Sequence, residues 1–140
     1  ASGVDLAAVN VQRGREKGIH PYNEVRARIP TLSPFRSFES LRREMSLENI
    51  DLLKHTYDSI DDVDLYVGLL LERVTDPTVL LGPTGSHLSA EHFSAFRQGD
   101  RFFYESATSP GALTQGARDV ISVLVLYIPH TILQIGEMRE

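Results

Sequence analysis

At 140 residues and 15.6 kDa, the chain has the length of one domain or of part of a larger one. Hydrophobic residues at 41% and charged residues at 24% exclude a disordered tail, a collagen-like repeat and a polytopic membrane protein. A net charge of −5 without a basic stripe excludes an electrostatic nucleic-acid footprint, and the lack of cysteine excludes disulfides, zinc–cysteine sites, iron–sulfur clusters and a cysteine nucleophile.

A chain of this length buries about two-thirds of its unfolded surface, enough for a sizeable core. Ala1 in place of Met is expected of a trimmed terminus or an excised piece, and no signal peptide is visible. Asn10, Asn23 and Asn49 all lack the N-x-Ser/Thr acceptor pattern.

Pro and Gly punctuate the chain into helices of two to four turns. The first is expected over 4–17, with Asp5 near its start and Gly18 as the C-cap candidate. A short second helix over 21–28 opens with Pro21, favoured at the first helical position. A third over 37–44 takes Ser37 as N-cap. A fourth over 46–57 takes Ser46 as N-cap and aligns Leu47, Ile50 and Leu53. Asp61, Asp62 and Asp64 open a helix over 61–73, where the dipole favours negative charge. The remainder of that helix is apolar nearly all round and belongs inside a larger body. Residues 74–87 are expected as loop. Residues 88–98 follow as a helix with Ser89 as N-cap, Phe93 and Phe96 toward the core, and Gly99 at the end. Residues 111–121 are expected to be helical. Ile121 to Ile128 is β-branched, stops at Pro129 and leaves helix or strand open.

Chemistry points to the first helix. Leu6, Asn10, Arg13 and Lys17 form a single stripe, and Leu6 and Val9 flank Asn10. An Asn and an Arg among apolar neighbours need partners, because an unpaired buried polar group costs about 1–3 kcal/mol. Nearby carbonyls and carboxylates satisfy them on one reading. On the other, Asn10 orients a functional group and Arg13 clamps an anion.

The stretch Asp5-Leu6-Ala7-Ala8-Val9-Asn10-Val11-Gln12-Arg13-Gly14-Arg15-Glu16-Lys17-Gly18, continued by Pro21-Tyr22-Asn23, resembles the D-L-x-A-x-N-x-Q-R-x-R-x-x-G-x-x-x-Y-N stretch of animal haem peroxidases. Three further blocks follow in the family's order: Met45 to Ile50, Asp61 to Glu72, and Leu80 to Thr84 leading through Phe93 and Phe96 to Gly99–Glu105. The resemblance is to peroxinectin-like and myeloperoxidase-like enzymes. It is clear over 3–105 and divergent over 106–140. It implies that 1–140 is a single incomplete haem-peroxidase-like domain, all-α with little or no sheet, from the C-terminal part of the catalytic domain.

The resemblance also implies roles. Asn10 takes the place of the Asn that hydrogen-bonds the ring nitrogen of the proximal His, the one not bound to iron. Arg13 takes the place of the Arg that pairs with a haem propionate. Leu6 and Val9 match residues lining the apolar side of the haem. No catalytic residue and no metal ligand is carried onto this chain. In the family the distal His, catalytic Arg, proximal His, calcium loop and acidic haem-linking residues lie upstream. The family's cysteines near 29 and 86–88 are also missing. His20, His55, His87, His92 and His130 are expected as surface or cap histidines. The implied cofactor is haem, its iron ligand coming from a missing segment or another chain. The implied partners are the remaining N-terminal part of the peroxidase, or another chain, with peroxide and a donor. The implied location is secreted or extracellular.

Other signals fail on spacing. A calcium loop starting at Asp58 needs Gly where Val63 stands. Gly82-Pro83-Thr84-Gly85-Ser86 lacks the Gly-Lys-Ser/Thr ending of a phosphate loop, and Ser86 beside His87 has no nucleophile elbow. Arg42 and Arg43 are expected as solvated charges. Membrane attachment through Ile121–Ile135 is opposed by its Gly, Pro and polar interruptions. Two functional expectations therefore stand. One is a segment of a haem peroxidase that reduces hydrogen peroxide and oxidises halide or phenolic donors, inactive by itself. The alternative is a non-catalytic helical remnant acting as a binding or structural protein, with Arg13 paired to Glu16 or Glu24.

Overall fold

The computed structural model describes residues 3–75, 78–107 and 110–123. Among these residues there are helices and turns but no strand, as the all-α expectation requires. The chain divides into two compact units, 1–91 and 92–140.

The first unit holds α1 (Leu6–Glu16), α2 (Tyr22–Ala27), a 3₁₀ helix (Phe38–Arg43), α3 (Leu47–Thr56), a 3₁₀ turn (Ile60–Asp62), α4 (Leu65–Leu71) and the start of α5 (Pro83–Gly99). Its core is Tyr22, Leu41, Met45, Ile50, Leu53, Ile60 and Val63. Ser46 caps α3 by accepting from the Asn49 N–H at 3.2 Å, which sets the register that buries Ile50 and Leu53. Leu47, expected on the same face, is exposed.

α2 and α4 meet closely at Gly68. A Cβ there would lie 2.3 Å from Tyr22 Cγ, so only glycine admits the Tyr22 ring. The Tyr22 N–H donates to the Val63 carbonyl at 2.8 Å. Asn23 pins the loop before the 3₁₀ helix, exchanging bonds of 2.9 and 2.7 Å with the Phe35 backbone and donating to Asp61 at 2.6 Å.

A buried polar cluster ties the start of α5 to this core. Arg26 donates to the Ser33 carbonyl, Glu44, Glu72 and Thr84. The Glu72 carboxylate accepts the Tyr22 hydroxyl at 2.7 Å and the Thr84 N–H at 3.0 Å.

Several expected boundaries change. The 37–44 helix is a 3₁₀ helix. α4 is shorter than 61–73 and begins at Leu65, because Asp61 and Asp64 are taken up by Asn23 and Arg15 instead of opening a longer helix. The loop expected over 74–87 ends early. α5 starts at Pro83 because Glu72, eleven residues upstream, supplies the acceptor that its first N–H groups need, and Ser89 lies inside the helix.

The second unit begins within α5. Phe93 and Phe96, expected toward the core, are 72% and 67% exposed and meet edge to face. Arg97 pairs with Glu105 and lies over the Phe103 ring. The last described helix covers 115–123 where 111–121 was expected. Residues 124–140, which include His130, Pro129 and most of the stretch considered for membrane attachment, lie outside the described residues. No described helix is long and apolar enough to cross a membrane.

Candidate functional site on the first helix

α1 is a well-terminated helix. Asp5 accepts the Ala8 N–H at 3.1 Å. At the other end Gly18, with φ of +66°, turns the chain. There the Gly18 N–H reaches the Arg15 carbonyl and the Ile19 N–H reaches the Gly14 carbonyl. These two bonds satisfy the last orphan carbonyls and fix the helix length.

The same helix buries no side chain. It lies along α4, and between the two runs a groove of about 470 Å³. Asn10, Val11, Arg13, Gly14 and Lys17 line it from α1, with Ile19 just beyond; Leu65, Tyr66 and Leu69 line it from α4, with Asp64 at the start of that helix. The α4 side is a mostly apolar wall, and the α1 side carries an amide and two cations.

The structure therefore brings Asn10 and Arg13 together at one groove. Leu6 is 66% exposed and Val9 half-buried, and neither lines the groove. Asn10 is half-buried and Arg13 exposed. Among the described residues no hydrogen bond or ion pair engages either side chain. Neither carboxylate that was a candidate for Arg13 pairs with it among the described residues. Glu16 accepts from Gln12 at 3.0 Å, and Glu24 accepts from Arg28 at 2.6 Å and lies 3.0 Å from His20.

Arg15 behaves differently. Residues two apart on a helix point about 200° apart. While Arg13 faces the groove, Arg15 grips Asp64 with both prongs, Nε to Oδ1 at 2.9 Å and Nη2 to Oδ2 at 2.6 Å. Tyr57 donates its hydroxyl to the same Oδ2 at 2.8 Å. The bond from Arg15 holds the Asp64 carboxyl below the usual carboxylate range, against a smaller opposing effect of burial. Sequence reasoning treated Asp64 as a dipole acid and gave Arg15 no role. The available signal was the Q-R-x-R pattern, whose two arginines must face opposite ways.

Elsewhere nothing competes as a metal centre. Among the described residues no group of three or more His, Asp or Glu is placed to hold an ion. His55 is exposed, with Nδ1 2.6 Å from the Asp51 carbonyl, and His92 is exposed on α5. A larger hollow of about 740 Å³ lies by the 3₁₀ helix. Its Arg26 and Glu44 are paired to each other, while Arg42 and Arg43 are exposed as expected.

Comparison with known proteins gives this arrangement a family. The sequence profile of the animal haem peroxidase family matches residues 1–126. Heme peroxidase 2 of Caenorhabditis elegans is 46% identical over 107 residues, covering 75% of this chain and 14% of that protein. Chorion peroxidase of Drosophila melanogaster is 39% identical over 114 residues, covering 79% of this chain and 13% of that protein. Among solved structures, peroxidase A from Dictyostelium discoideum superposes with a TM-score of 0.66 at 37% identity, covering 75% of this chain and 20% of that one. The chain thus spans at most a fifth of the length of each of these relatives. By motif order, sequence identity and helical architecture, it belongs to the animal haem peroxidase family.

Proposed function

We propose that this chain is the helical C-terminal part of a haem peroxidase and supplies the proximal-side environment of the haem. The observation that carries this reading is the pair Asn10 and Arg13. Both line an apolar groove, and both lack a partner among the described residues. A capped, well-formed helix that holds a free amide and a free guanidinium suits an anionic, largely apolar ligand. Haem, with its apolar macrocycle and its propionates, is such a ligand.

The residues divide the work. Asn10 would accept a hydrogen bond from the imidazole N–H that faces away from the metal, fixing the ring's orientation and raising its basicity. Arg13 would pair its planar fork with a propionate. Leu6 and Val9, which lie outside the groove, would add apolar surface only where the ligand extends beyond it. The axial histidine and any calcium site would come from a segment outside these residues. When bound, haem supplies the reduction of hydrogen peroxide and the oxidation of a halide or phenolic donor. On this reading the 1–140 segment is one incomplete domain. Its natural partner is the remainder of the peroxidase, and the setting is secreted or extracellular.

The alternative, a non-catalytic remnant, expects Arg13 to be paired to a local carboxylate such as Glu16 or Glu24. Neither carboxylate pairs with Arg13 among the described residues, and this favours the peroxidase reading. The test is the visible spectrum of the natively isolated protein that contains this chain. A Soret band equivalent to about one haem per copy, weakened or shifted in Asn10→Ala, supports the reading. A folded protein without haem overturns it.

A further inference from the structure

We infer that Asp64 is a positioning residue for the cofactor-facing stripe of α1, acting through Arg15 and steadied by Tyr57. The inference rests on the reading of α1 as the haem-facing helix and adds what holds that helix in register.

The need for such a device follows from packing. Elements that bury side chains are keyed by close-packed contacts that resist sliding and rolling. α1 buries none. Its one central glycine gives no key either, since a Cβ on Gly14 would meet nothing within 4 Å. Yet the proposed task is sensitive to roll. A turn of about 10° about the helix axis moves a side-chain atom about 6 Å from that axis by about 1 Å. That is enough to spoil a hydrogen bond to a fixed imidazole.

The Arg15–Asp64 fork answers that need. Two parallel N–H···O bonds constrain orientation as well as distance, which a single ammonium contact does not. Asp64 is well placed to serve as the fixed end. Its side chain is 13% exposed, against 64% for Arg15. It stands at the N-cap of α4, where its backbone carbonyl accepts the Gly68 N–H, yet its side chain makes no capping bond to that helix. Its carboxylate is turned instead toward Arg15 on α1 and Tyr57 at the end of α3. Tyr57 packs against the core of the first unit, so the chain of contacts runs from core to Tyr57 to Asp64 to Arg15 to α1.

Solvent screens the pair at its Arg15 end, which is 64% exposed, so its contribution to stability is modest and a positioning role is read from the haem signals rather than from melting. The experiment uses the haem-loaded, full-length protein containing this chain and reads the Soret maximum, the haem reduction potential and the melting temperature. Asn10→Ala is expected to shift the Soret maximum and the potential. Asp64→Asn is expected to shift both in the same direction by a smaller amount, with little change in melting temperature. Tyr57→Phe is expected to give a smaller shift of the same sign, and it decides the matter if Asp64→Asn fails to fold. Glu39→Gln, which breaks the comparable pair with Lys54 at 2.7 Å, is expected to shift neither.

A wild-type spectrum and potential in Asp64→Asn, beside a shifted Asn10→Ala, overturns the inference while leaving the cofactor reading intact. So does a Glu39→Gln shift as large as that of Asp64→Asn. An unshifted Asn10→Ala overturns the cofactor reading, and the inference falls with it.

Discussion

Arg26 on α2 and Arg13 on α1 are the same side chain in opposite surroundings. Arg26 is 3% exposed and spends its guanidinium on the Ser33 carbonyl at 2.8 Å, Glu44 at 2.5 and 2.6 Å, and Thr84 at 3.0 Å. The Phe35 ring lies over it at 4.4 Å. Arg13 is exposed and has none of these contacts among the described residues. Folding of the first unit uses Arg26 completely and leaves Arg13 unused. An exposed cation at the mouth of an apolar groove is what the proposed ligand role of Arg13 requires.

That contrast can be broken at its strongest point. Arg26→Ala leaves the Glu72 and Glu44 carboxylates without their cation. It should destabilise the first unit by about 3–5 kcal/mol, read as a collapse of the melting transition. Gly68→Ala comes next. The new methyl would lie 2.3 Å from a Tyr22 ring that has no exposed surface and no room to retreat. The expected cost is about 1–3 kcal/mol by urea denaturation.

Smaller effects follow from pH. Burial, then the hydrogen bond to Glu72, pushes the Tyr22 hydroxyl far above its ordinary value. A raised folded value means that the stabilisation is complete below a pH of about 10 and is lost as pH rises beyond it. Tyr22→Phe should therefore flatten the alkaline arm of a stability–pH profile. Asp64 has the opposite sign. Its value is lowered, chiefly by the bond from Arg15, so its contribution is present above the ordinary carboxylate range and fades as pH falls through it. Asp64→Asn should flatten the acid arm.

The helices were legible in the sequence where the determinants are local. Asp5, Ser46 and Gly18 act within a few residues of themselves, and α1 and α3 lie close to where their caps place them. What escaped was determined at long range. Glu72 caps α5 from eleven residues upstream, so the pattern around Ser89 put the helix start too late. Asp61 and Asp64 look like dipole acids until Asn23 and Arg15 are placed beside them. Phe93 and Phe96 have the spacing of core residues, but they meet edge to face and stay 72% and 67% exposed. At the site, Asn10 and Arg13 share a groove as their common stripe requires, whereas Leu6 and Val9 fall outside it. Hydrophobicity marks a residue as apolar without saying which surface it will meet.

On the proposed function, Arg13 and Asn10 serve the cofactor and not the fold. The most direct test is Arg13→Ala in the haem-loaded protein, with the Soret band and the melting temperature of the haem-free form measured on the same preparation. A weakened or shifted Soret band is expected, with a haem-free stability within about 0.5 kcal/mol of the parent. A Soret band unchanged from the parent, together with a lowered haem-free melting temperature, would contradict it and return Arg13 to a structural role.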